Sequence, residues 1–197
     1  MKVLGIYGSP RAGGNSELLL DQALAGALAA GAETARLYVR ELKVAGCREC
    51  GGCNDTSECV QDDEMQAVYP RLEAAQAIII GAPMFFYAMP SQLKALVDRA
   101  QAMWNRRRLR KTPEQRKSHD HGRGYLIAVG ATRGQNLFDG VELTAKYFFD
   151  ALDMSYEGGV LVRGVEEKGD ICARPELMAE AFALGKKAAG KGSEVKL

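Results

Sequence analysis

The chain has 197 residues, of which 47% are hydrophobic and 26% charged, a composition that excludes collagen-like and disordered proteins. Its 26 Lys and Arg against 25 Asp and Glu give a net charge of +1, so charge provides no reason to expect a nucleic-acid or membrane partner. No run approaches the roughly 20 apolar residues of a membrane-spanning helix, and the apolar N-terminal run is too short for a signal peptide. We therefore expect one cytoplasmic domain over residues 1–197, in a compartment where disulfides are not expected.

Short apolar runs alternate with amphipathic segments along the chain. The predicted strands are Val3–Tyr7, Thr34–Val39, Ala77–Ile80, Gly124–Val129 and Val160–Val165. The predicted helices are Ser16–Ala30, a helix that opens at Asp62–Glu64, Ser91–Trp104, Val141–Leu152 and Pro175–Ala189. Five strands alternating with five helices predict a three-layer α/β fold with a doubly wound parallel sheet. A frayed tail is expected from Gly190 to Leu197.

A glycine-rich turn, residues 8–16, joins the first strand to the first helix, at the sheet edge where α/β proteins bind ligands. It lacks the lysine of a P-loop, and Pro10 interrupts the dinucleotide-binding pattern. Hydroxyl, amide and guanidinium groups beside the helix N-terminus come from Ser9, Ser16, Asn15 and Arg11. These groups favour a phosphate monoester; a simple capping turn, with Asn15 or Ser16 as the N-cap, is the alternative.

Four of the five cysteines fall within one short segment. Their spacing is Cys-x2-Cys-x2-Cys-x5-Cys, at Cys47, Cys50, Cys53 and Cys59, whereas Cys172 stands alone. Three cysteines in close succession let one loop supply three thiolates to a [4Fe–4S] cluster, and Gly51-Gly52 leaves room for the backbone to wrap closely. Structural zinc sites usually take ligand pairs that are well separated in sequence, which favours iron–sulfur. Zinc and metal-free or redox-active thiols are the alternatives.

Two further loops follow predicted strands on the same edge. Residues 83–90 are too apolar to lie uncovered, so either a subunit interface or a planar aromatic ligand is expected to cover them, and the interface is the favoured reading. The two possibilities are compatible if a ligand binds at a dimer interface. Residues 130–134 place small side chains and backbone N–H groups beside them, which is a weak signal by itself.

Residues 105–123 do not fit the alternating scheme. They contain eight basic residues, two acids and both histidines, His119 and His121, without helical or strand periodicity. This pattern predicts a long exposed excursion before the fourth strand. Its charge is typical of a solvated face, and the alternatives are docking of an acidic ferredoxin or binding of the NADPH phosphate.

Together these stretches resemble the flavodoxin-like family of NADPH-dependent FMN reductases. The matching sequences are GSPRAGGNSELLL from Gly8, CRECGGC…C…DDEM from Cys47, IIIGAPMFFYAMPSQLKALVDR from Ile78 and GATRGQNLFDG from Gly130. The four-cysteine loop makes the chain most similar to the iron–sulfur flavoprotein branch of that family.

The resemblance implies a flavodoxin-like sheet of strand order 2-1-3-4-5 and a bound FMN. It implies an FMN phosphate at Ser9, Arg11, Asn15 and Ser16. It implies that the isoalloxazine ring is flanked by Pro83, Met84, Phe85 and Phe86, and by Ala131, Thr132, Arg133 and Gly134. It also implies cluster ligation by Cys47, Cys50, Cys53 and Cys59, and a homodimer or homotetramer with the flavin near an interface.

The sequence contains no Ser-His-Asp or metal–hydrolase constellation, so no side chain is assigned a catalytic role and the chemistry is expected to belong to cofactors. The expected function is a redox protein in which FMN and a [4Fe–4S] cluster pass electrons between a carrier such as ferredoxin and an acceptor. One alternative is a cluster-free NAD(P)H-dependent reductase of free flavin or quinones. Another is a binding module whose basic segment docks an acidic partner.

Overall fold

Five parallel strands form the centre of the computed structural model, which describes residues 1–190. The strands are β1 (Lys2–Tyr7), β2 (Glu33–Tyr38), β3 (Ala77–Pro83), β4 (Gly122–Gly130) and β5 (Met154–Arg163). Their order is β2-β1-β3-β4-β5 and every neighbouring pair is parallel, which confirms the predicted sheet. Most of the predicted tail, residues 191–197, lies outside the described residues.

Helices cover both faces of the sheet and complete a three-layer fold. They are α1 (Asn15–Ala29), α2 (Met65–Ala74), α3 (Ser91–Arg99), α4 (Gln101–Arg110), α5 (Asp139–Ala151) and α6 (Pro175–Ala189). One apolar layer joins α1 and α6 to the sheet through residues such as Leu19 and Ala181. The other apolar layer joins the four helices α2, α3, α4 and α5 to the opposite face of the sheet through residues such as Met65, Leu93 and Phe148. Within residues 1–190, no helix combines the length and apolar character needed to cross a membrane.

The predicted helix Ser91–Trp104 is in fact two helices, α3 and α4. They part at Ala100, whose N–H donates to the carbonyl of Val97, three residues back instead of four (3.0 Å). The second helix continues to Arg110, well past the predicted end. The prediction that residues 105–123 form a long exposed excursion is therefore wrong for their first third, which is helical, while residues 111–121 do form the connection to β4.

Ion pairs within the fold use much of the charge of this basic segment. Arg107 is only 5% exposed, and its guanidinium contacts Asp153 Oδ1 and Asp150 Oδ1, each at 2.8 Å. Lys111 Nζ contacts the second oxygen of Asp153 at 2.5 Å, and Arg106 pairs with Glu73. These contacts lie where β4 and β5 begin, at the amino edge of the sheet, opposite the edge formed by the carboxyl ends of the strands. Much of the basic segment is thus structural.

The fifth strand begins at Met154, whereas the sequence predicts a start at Val160. The prediction missed the first part of β5 because β5 is an edge strand. Apart from the half-buried Tyr156, residues 155–159 are polar or glycine, and none is fully buried, so they lack the apolar run of a central strand. Its pairing with β4 shifts register between Gly124 and Leu126, next to Gly158, which has a φ of +82°. An irregularity of this kind is typical of edge strands and is invisible to a simple alternation rule.

Candidate functional site

The loops after β1, β3, β4 and β5 enclose a cleft of about 310 Å³ at the carboxyl edge of the sheet. Parallel α/β sheets bind ligands at this edge. The cleft brings together these predicted flavin-site residues: Ser9, Arg11, Asn15, Ser16, Pro83, Met84, Phe85 and Ala131. Val165 and Glu166 from the loop after β5 also line it, although the sequence analysis assigned no role to that loop.

The other predicted flavin-site residues do not line this cleft. They are Phe86, Thr132, Arg133 and Gly134. Phe86 is fully exposed, whereas Gly134 lies under the hydroxyl of Tyr87, which would stand 2.4 Å from a Cβ added at Gly134. The loops after β3 and β4 therefore touch each other through Tyr87, outside the cleft lining.

The aromatic loop after β3 is a tight two-residue turn. Phe85 and Ala88 exchange two backbone hydrogen bonds of 3.0 Å each, with Phe86 and Tyr87 between them. Both central residues have positive φ values, 50° and 62°, which are unfavourable for side chains of this size. The turn holds the half-exposed Phe85 against the cleft and presents Phe86 and Tyr87 to solvent.

The N-terminus of α1 opens into the cleft without a side-chain cap. Gly14 is the N-cap residue, and no side chain accepts a hydrogen bond from the first turn. Ser9 Oγ instead accepts from the N–H of Arg11 (3.1 Å) and donates to its carbonyl (2.9 Å), which fixes the turn before the helix. The free N–H groups and the positive end of the helix dipole form a site suited to an anion.

Asn15 is buried and its side chain is committed to the loop after β5. Its Nδ2 donates to the carbonyl of Glu167 at 2.8 Å, and its Oδ1 accepts from the N–H groups of Gly169 (3.0 Å) and Ile171 (3.3 Å). The amide predicted to contact phosphate is thus used to attach a second loop to the start of α1. The second N–H of Nδ2 is not used in these contacts.

The loop held by Asn15 carries a cation to the cleft edge. Lys168 Nζ lies 3.3 Å from the position that a Cβ on Gly13 would occupy, so the ammonium group sits directly over the glycine turn. Arg11 also reaches this loop, since its Nη2 donates to the carbonyl of Glu166 at 3.4 Å. No sequence signal pointed to Lys168, because its proximity to the turn depends on a contact between residues more than 150 positions apart.

A second cavity, of about 540 Å³, lies between the cysteine loop (residues 47–59) and the junction of α3 and α4. Four thiols line it: Cys47 and Cys50, which are exposed, and Cys53 and Cys59, which are half-buried. Asn105 on α4 donates to Cys53 Sγ at 3.2 Å. Within residues 1–190, no three Cys, His, Asp or Glu side chains converge closely enough to hold a single metal ion. The four thiols therefore surround a space without meeting at one point.

The wall of this cavity favours an anionic group. Burial raises the pKa of the Cys59 thiol, but the backbone N–H of Gln61 and the Arg99 guanidinium outweigh burial and hold that pKa below its usual value. Arg99 is 1% exposed and lines the cavity. Cys172 is exposed, does not line this cavity and lies in a short 3₁₀ helix, Asp170–Ala173.

A sheet of this order with a ligand cleft at its carboxyl edge defines the flavodoxin-like class of α/β proteins. The chain belongs to the NADPH-dependent FMN reductase family, whose sequence pattern matches residues 1–154. This is a family of flavin oxidoreductases, and the relatives confirm the predicted iron–sulfur flavoprotein branch.

Two curated relatives illustrate the similarity. An iron–sulfur flavoprotein of Methanosarcina thermophila is 44% identical over 100 residues, which make up 51% of this chain and 52% of that protein. A Bacillus subtilis protein, YwqN, named as an NAD(P)H-dependent FMN-containing oxidoreductase, is 25% identical over 95% of this chain and 98% of its own length. The chain spans about half the length of the first curated iron–sulfur flavoproteins it matches.

Solved structures share the fold. A flavone reductase superposes with a TM-score of 0.71 at 16% identity, over 96% of this chain and 62% of that one. The NAD(P)H:quinone oxidoreductase from Methanothermobacter marburgensis superposes with a TM-score of 0.67 at 13% identity, over 98% of this chain and 99% of that one. At these identities the likeness establishes the architecture alone.

Proposed function

We propose that this chain is an FMN-binding redox protein that also carries a [4Fe–4S] cluster and transfers electrons between a carrier such as ferredoxin and an acceptor. The observation that carries the proposal is the uncapped N-terminus of α1, which opens into the same cleft as Met84 and Phe85. The cleft therefore has a site for a phosphate group next to a site for a planar apolar ring. Family membership supports FMN as the molecule that has both.

The phosphate half of the cleft is assigned to residues from two loops. The backbone N–H groups of Asn15 and Ser16, the Ser16 hydroxyl and the Arg11 guanidinium surround the start of α1. Lys168 adds a second positive charge above Gly13. Hydrogen bonds to charged groups contribute more than neutral ones, so these contacts are expected to give most of the preference for a phosphorylated flavin.

The ring half of the cleft is assigned to Pro83, Met84, Phe85 and Ala131. Four residues outside the cleft lining remain proposed ring neighbours, namely Phe86, Thr132, Arg133 and Gly134. The exposed apolar tip formed by Phe86 and Tyr87 also supports the proposal of a homodimer or homotetramer that covers it. A cytoplasmic location is part of the same proposal.

Titration of the flavin-free protein tests the cleft. The fluorescence of FMN should be quenched on binding. FMN should bind about 10–100-fold more tightly than riboflavin, because riboflavin lacks the phosphate. A protein that is isolated colourless and binds neither flavin would contradict the proposal. Equal affinity for the two flavins would remove the phosphate assignment while leaving the ring site.

The cysteine cavity supports the cluster. Each thiolate of a [4Fe–4S] cluster binds a different iron, so its ligands surround the cluster, and the four cysteines surround the cavity in this way. Structural zinc sites usually take ligand pairs that are well separated in sequence, whereas three of these cysteines follow one another at two-residue gaps. The buried Arg99 guanidinium at the cavity wall also suits an anionic cluster. We propose Cys47, Cys50, Cys53 and Cys59 as the ligands.

FMN supplies transfer of one or two electrons when bound, and the cluster supplies transfer of one. The residues of the protein bind and orient these cofactors and tune their reduction potentials. The N–H groups at the start of α1 hold the phosphate, the tight turn after β3 holds Phe85 against the ring site, and the loop after β5 closes the cleft through Asn15. Assays for iron, acid-labile sulfide and flavin after anaerobic purification test the cluster; flavin with neither iron nor sulfide would contradict it.

The second candidate is a cluster-free NAD(P)H-dependent reductase of FMN or quinones. The match to YwqN over nearly the full length of both chains favours it. This reductase should oxidise NAD(P)H rapidly with quinones, whereas an electron carrier should react slowly with pyridine nucleotides and rapidly with reduced ferredoxin. Comparing the two steady-state rates separates the candidates.

The third expectation, a basic segment that docks an acidic partner, needs a different test from simple charge reversal. Arg107 is buried in ion pairs and Arg106 pairs with Glu73, so reversing these charges would damage the fold itself. Arg110 and Lys117 are exposed and suit the experiment. Binding of a ferredoxin that survives their reversal would identify this surface as a solvated face.

A further inference from the structure

Arg99, the last residue of α3, is the largest fully buried side chain of the described chain. A charged group that is removed from water in this way is tolerated only when its charge and its donors are well paired. The flavin cleft does not include Arg99, and the sequence analysis assigned it no role. Its partners show what it is used for.

Four hydrogen bonds connect Arg99 to both ends of the cysteine loop. At the N-terminal end of the loop, Nη1 donates to the carbonyl of Ala45, two residues before Cys47, at 3.0 Å. At the C-terminal end of the loop, Nη1 and Nη2 form a bidentate (forked) ion pair with Asp63 at 2.6 and 3.1 Å. Nη2 also donates to the carbonyl of Gln61 at 3.4 Å. The N–H of Ala45 donates to Asp63 at 3.0 Å and completes the junction. Arg99 thus closes the loop at its base.

The fifth donor of Arg99 is left over. Its Nε–H is buried and has no hydrogen-bond partner among residues 1–190. Unpaired buried donors are rare in native proteins and destabilise the fold. The Arg99 side chain lines the cavity that the four cysteines surround. Asp63 already balances the charge of Arg99, whose guanidinium also interacts with the Cys59 thiol in the wall of the same cavity, so sulfur on that side is the acceptor chemistry that the orphaned N–H requires.

We propose that Arg99 positions the cysteine loop around a cluster and donates a charge-assisted hydrogen bond from Nε to the sulfur atoms there. This inference rests on the proposed [4Fe–4S] cluster. The first role holds the ends of the loop together, so the thiols stay around one cavity before the cluster is inserted. The second role raises the reduction potential of the cluster, because a positive charge and a hydrogen bond at sulfur stabilise the more negative, reduced state.

Two substitutions at Arg99 test the inference. Arg99→Lys keeps the charge but loses the fork and the Nε–H, so it should open the base of the loop. Arg99→Gln loses the charge as well. Arg107→Lys is the matched control, since it removes another buried arginine that is paired with carboxylates, Asp150 and Asp153, and that does not line the cysteine cavity. FMN binding reports whether each variant is folded.

The measurements use the full chain reconstituted anaerobically with iron and sulfide. Both Arg99 variants should bind FMN normally but lose iron to a chelator about 10–100-fold faster than the wild type, as is typical when partners of metal ligands are removed. Arg99→Gln should titrate at a lower potential than Arg99→Lys. The control should match the wild type in both measurements. Arg99 variants that fold, hold iron and titrate like the wild type would overturn the inference.

A cluster-free readout separates this inference from the proposed function. Limited proteolysis of the apoprotein should cut within residues 46–60 faster in Arg99→Lys than in the wild type or in Arg107→Lys. A wild-type protein that binds FMN but takes up neither iron nor sulfide would overturn the cluster and the donor role together. Unchanged proteolysis of Arg99→Lys would overturn the positioning role.

Discussion

The side-chain oxygen of Asn15 accepts a hydrogen bond of 3.0 Å from the backbone N–H of Gly169, which is 154 residues away along the chain. Two more hydrogen bonds join the same amide to Glu167 and Ile171. Through this one side chain, the start of α1 and the loop after β5 form a continuous wall of the carboxyl-edge cleft. The stability of the fold and the shape of the cleft are therefore coupled at Asn15.

Asn15→Ala should both destabilise the protein and loosen the cleft. It leaves buried backbone donors without a partner, which costs about 1–3 kcal/mol of unfolding free energy. Urea unfolding measures that loss, and FMN titration should show weaker binding. Asn136→Ala, at an exposed position in the loop after β4, is the control and should change neither quantity. An Asn15 variant as stable as the wild type would show that the loop is held by other contacts.

Lys168→Ala should lower the affinity for FMN about tenfold and leave the affinity for riboflavin unchanged, because the ammonium group above Gly13 acts on the phosphate alone. The effect should shrink as salt is added, as expected for an exposed charge. Fluorescence titration with both flavins measures it. Lys146→Ala, on the exposed surface of α5, is the control. An equal loss for both flavins would assign Lys168 to packing of the loop.

Arg107→Met should destabilise the protein by about 1.5–3 kcal/mol, because Asp150 and Asp153 lose their buried cation while Lys111 still pairs with Asp153. Chemical denaturation measures the change. Arg110→Met removes an exposed arginine from the same helix and should have an effect near zero. The spectrum of bound FMN should be the same in both variants, since these residues lie at the amino edge. A small effect at Arg107 would mean that the ion pairs are open to water.

Gly185→Ala tests the contact between α1 and α6. Helix propensity alone predicts a gain of about 1 kcal/mol. A Cβ at Gly185, however, would lie 1.7 Å from the carbonyl oxygen of Ala23, so the two helices would have to separate. We expect a net loss of about 1–3 kcal/mol, the usual cost of overpacking. Gly190→Ala, where the nearest atom is 3.4 Å away, is the control, and a stabilised Gly185 variant would contradict the packing.

Asp63→Asn should change how stability depends on pH. Burial raises the pKa of Asp63, but the Arg99 guanidinium outweighs burial and holds that pKa below its usual value. Stability from the ionised carboxylate is therefore present above the unfolded pKa of about 3.9 and is lost as pH falls through the lower folded pKa. Urea midpoints measured from neutral pH downward should show the wild type more stable than Asp63→Asn at neutral pH and the two converging in acid.

The exposed neighbour, Asp62→Asn, serves as the control for this pH series and should follow the wild type. A gap between wild type and Asp63→Asn that stays constant into acid would show that Asp63 contributes through packing and hydrogen-bond geometry and that its charge is secondary.

Local pattern was sufficient for the sheet and for the position of the cleft. Five apolar runs alternating with helical segments determine a parallel sheet, and the carboxyl ends of parallel strands meet at one edge. The glycine turn and the aromatic loop can therefore be assigned to one site from the sequence alone. The spacing of the four cysteines likewise identified one loop, because ligands that are close in sequence need no tertiary information to be grouped.

Only the tertiary structure decided which charged side chains serve those sites. Arg99 and Lys168 are unremarkable in sequence, and their roles depend on partners that the fold brings from distant segments. Asn15 shows a related effect, since a residue predicted to hold a ligand also binds, through its side chain, a loop near the other end of the chain. Periodicity records which face of an element is buried, but the pairing of buried polar groups is fixed by where distant backbones end up relative to one another.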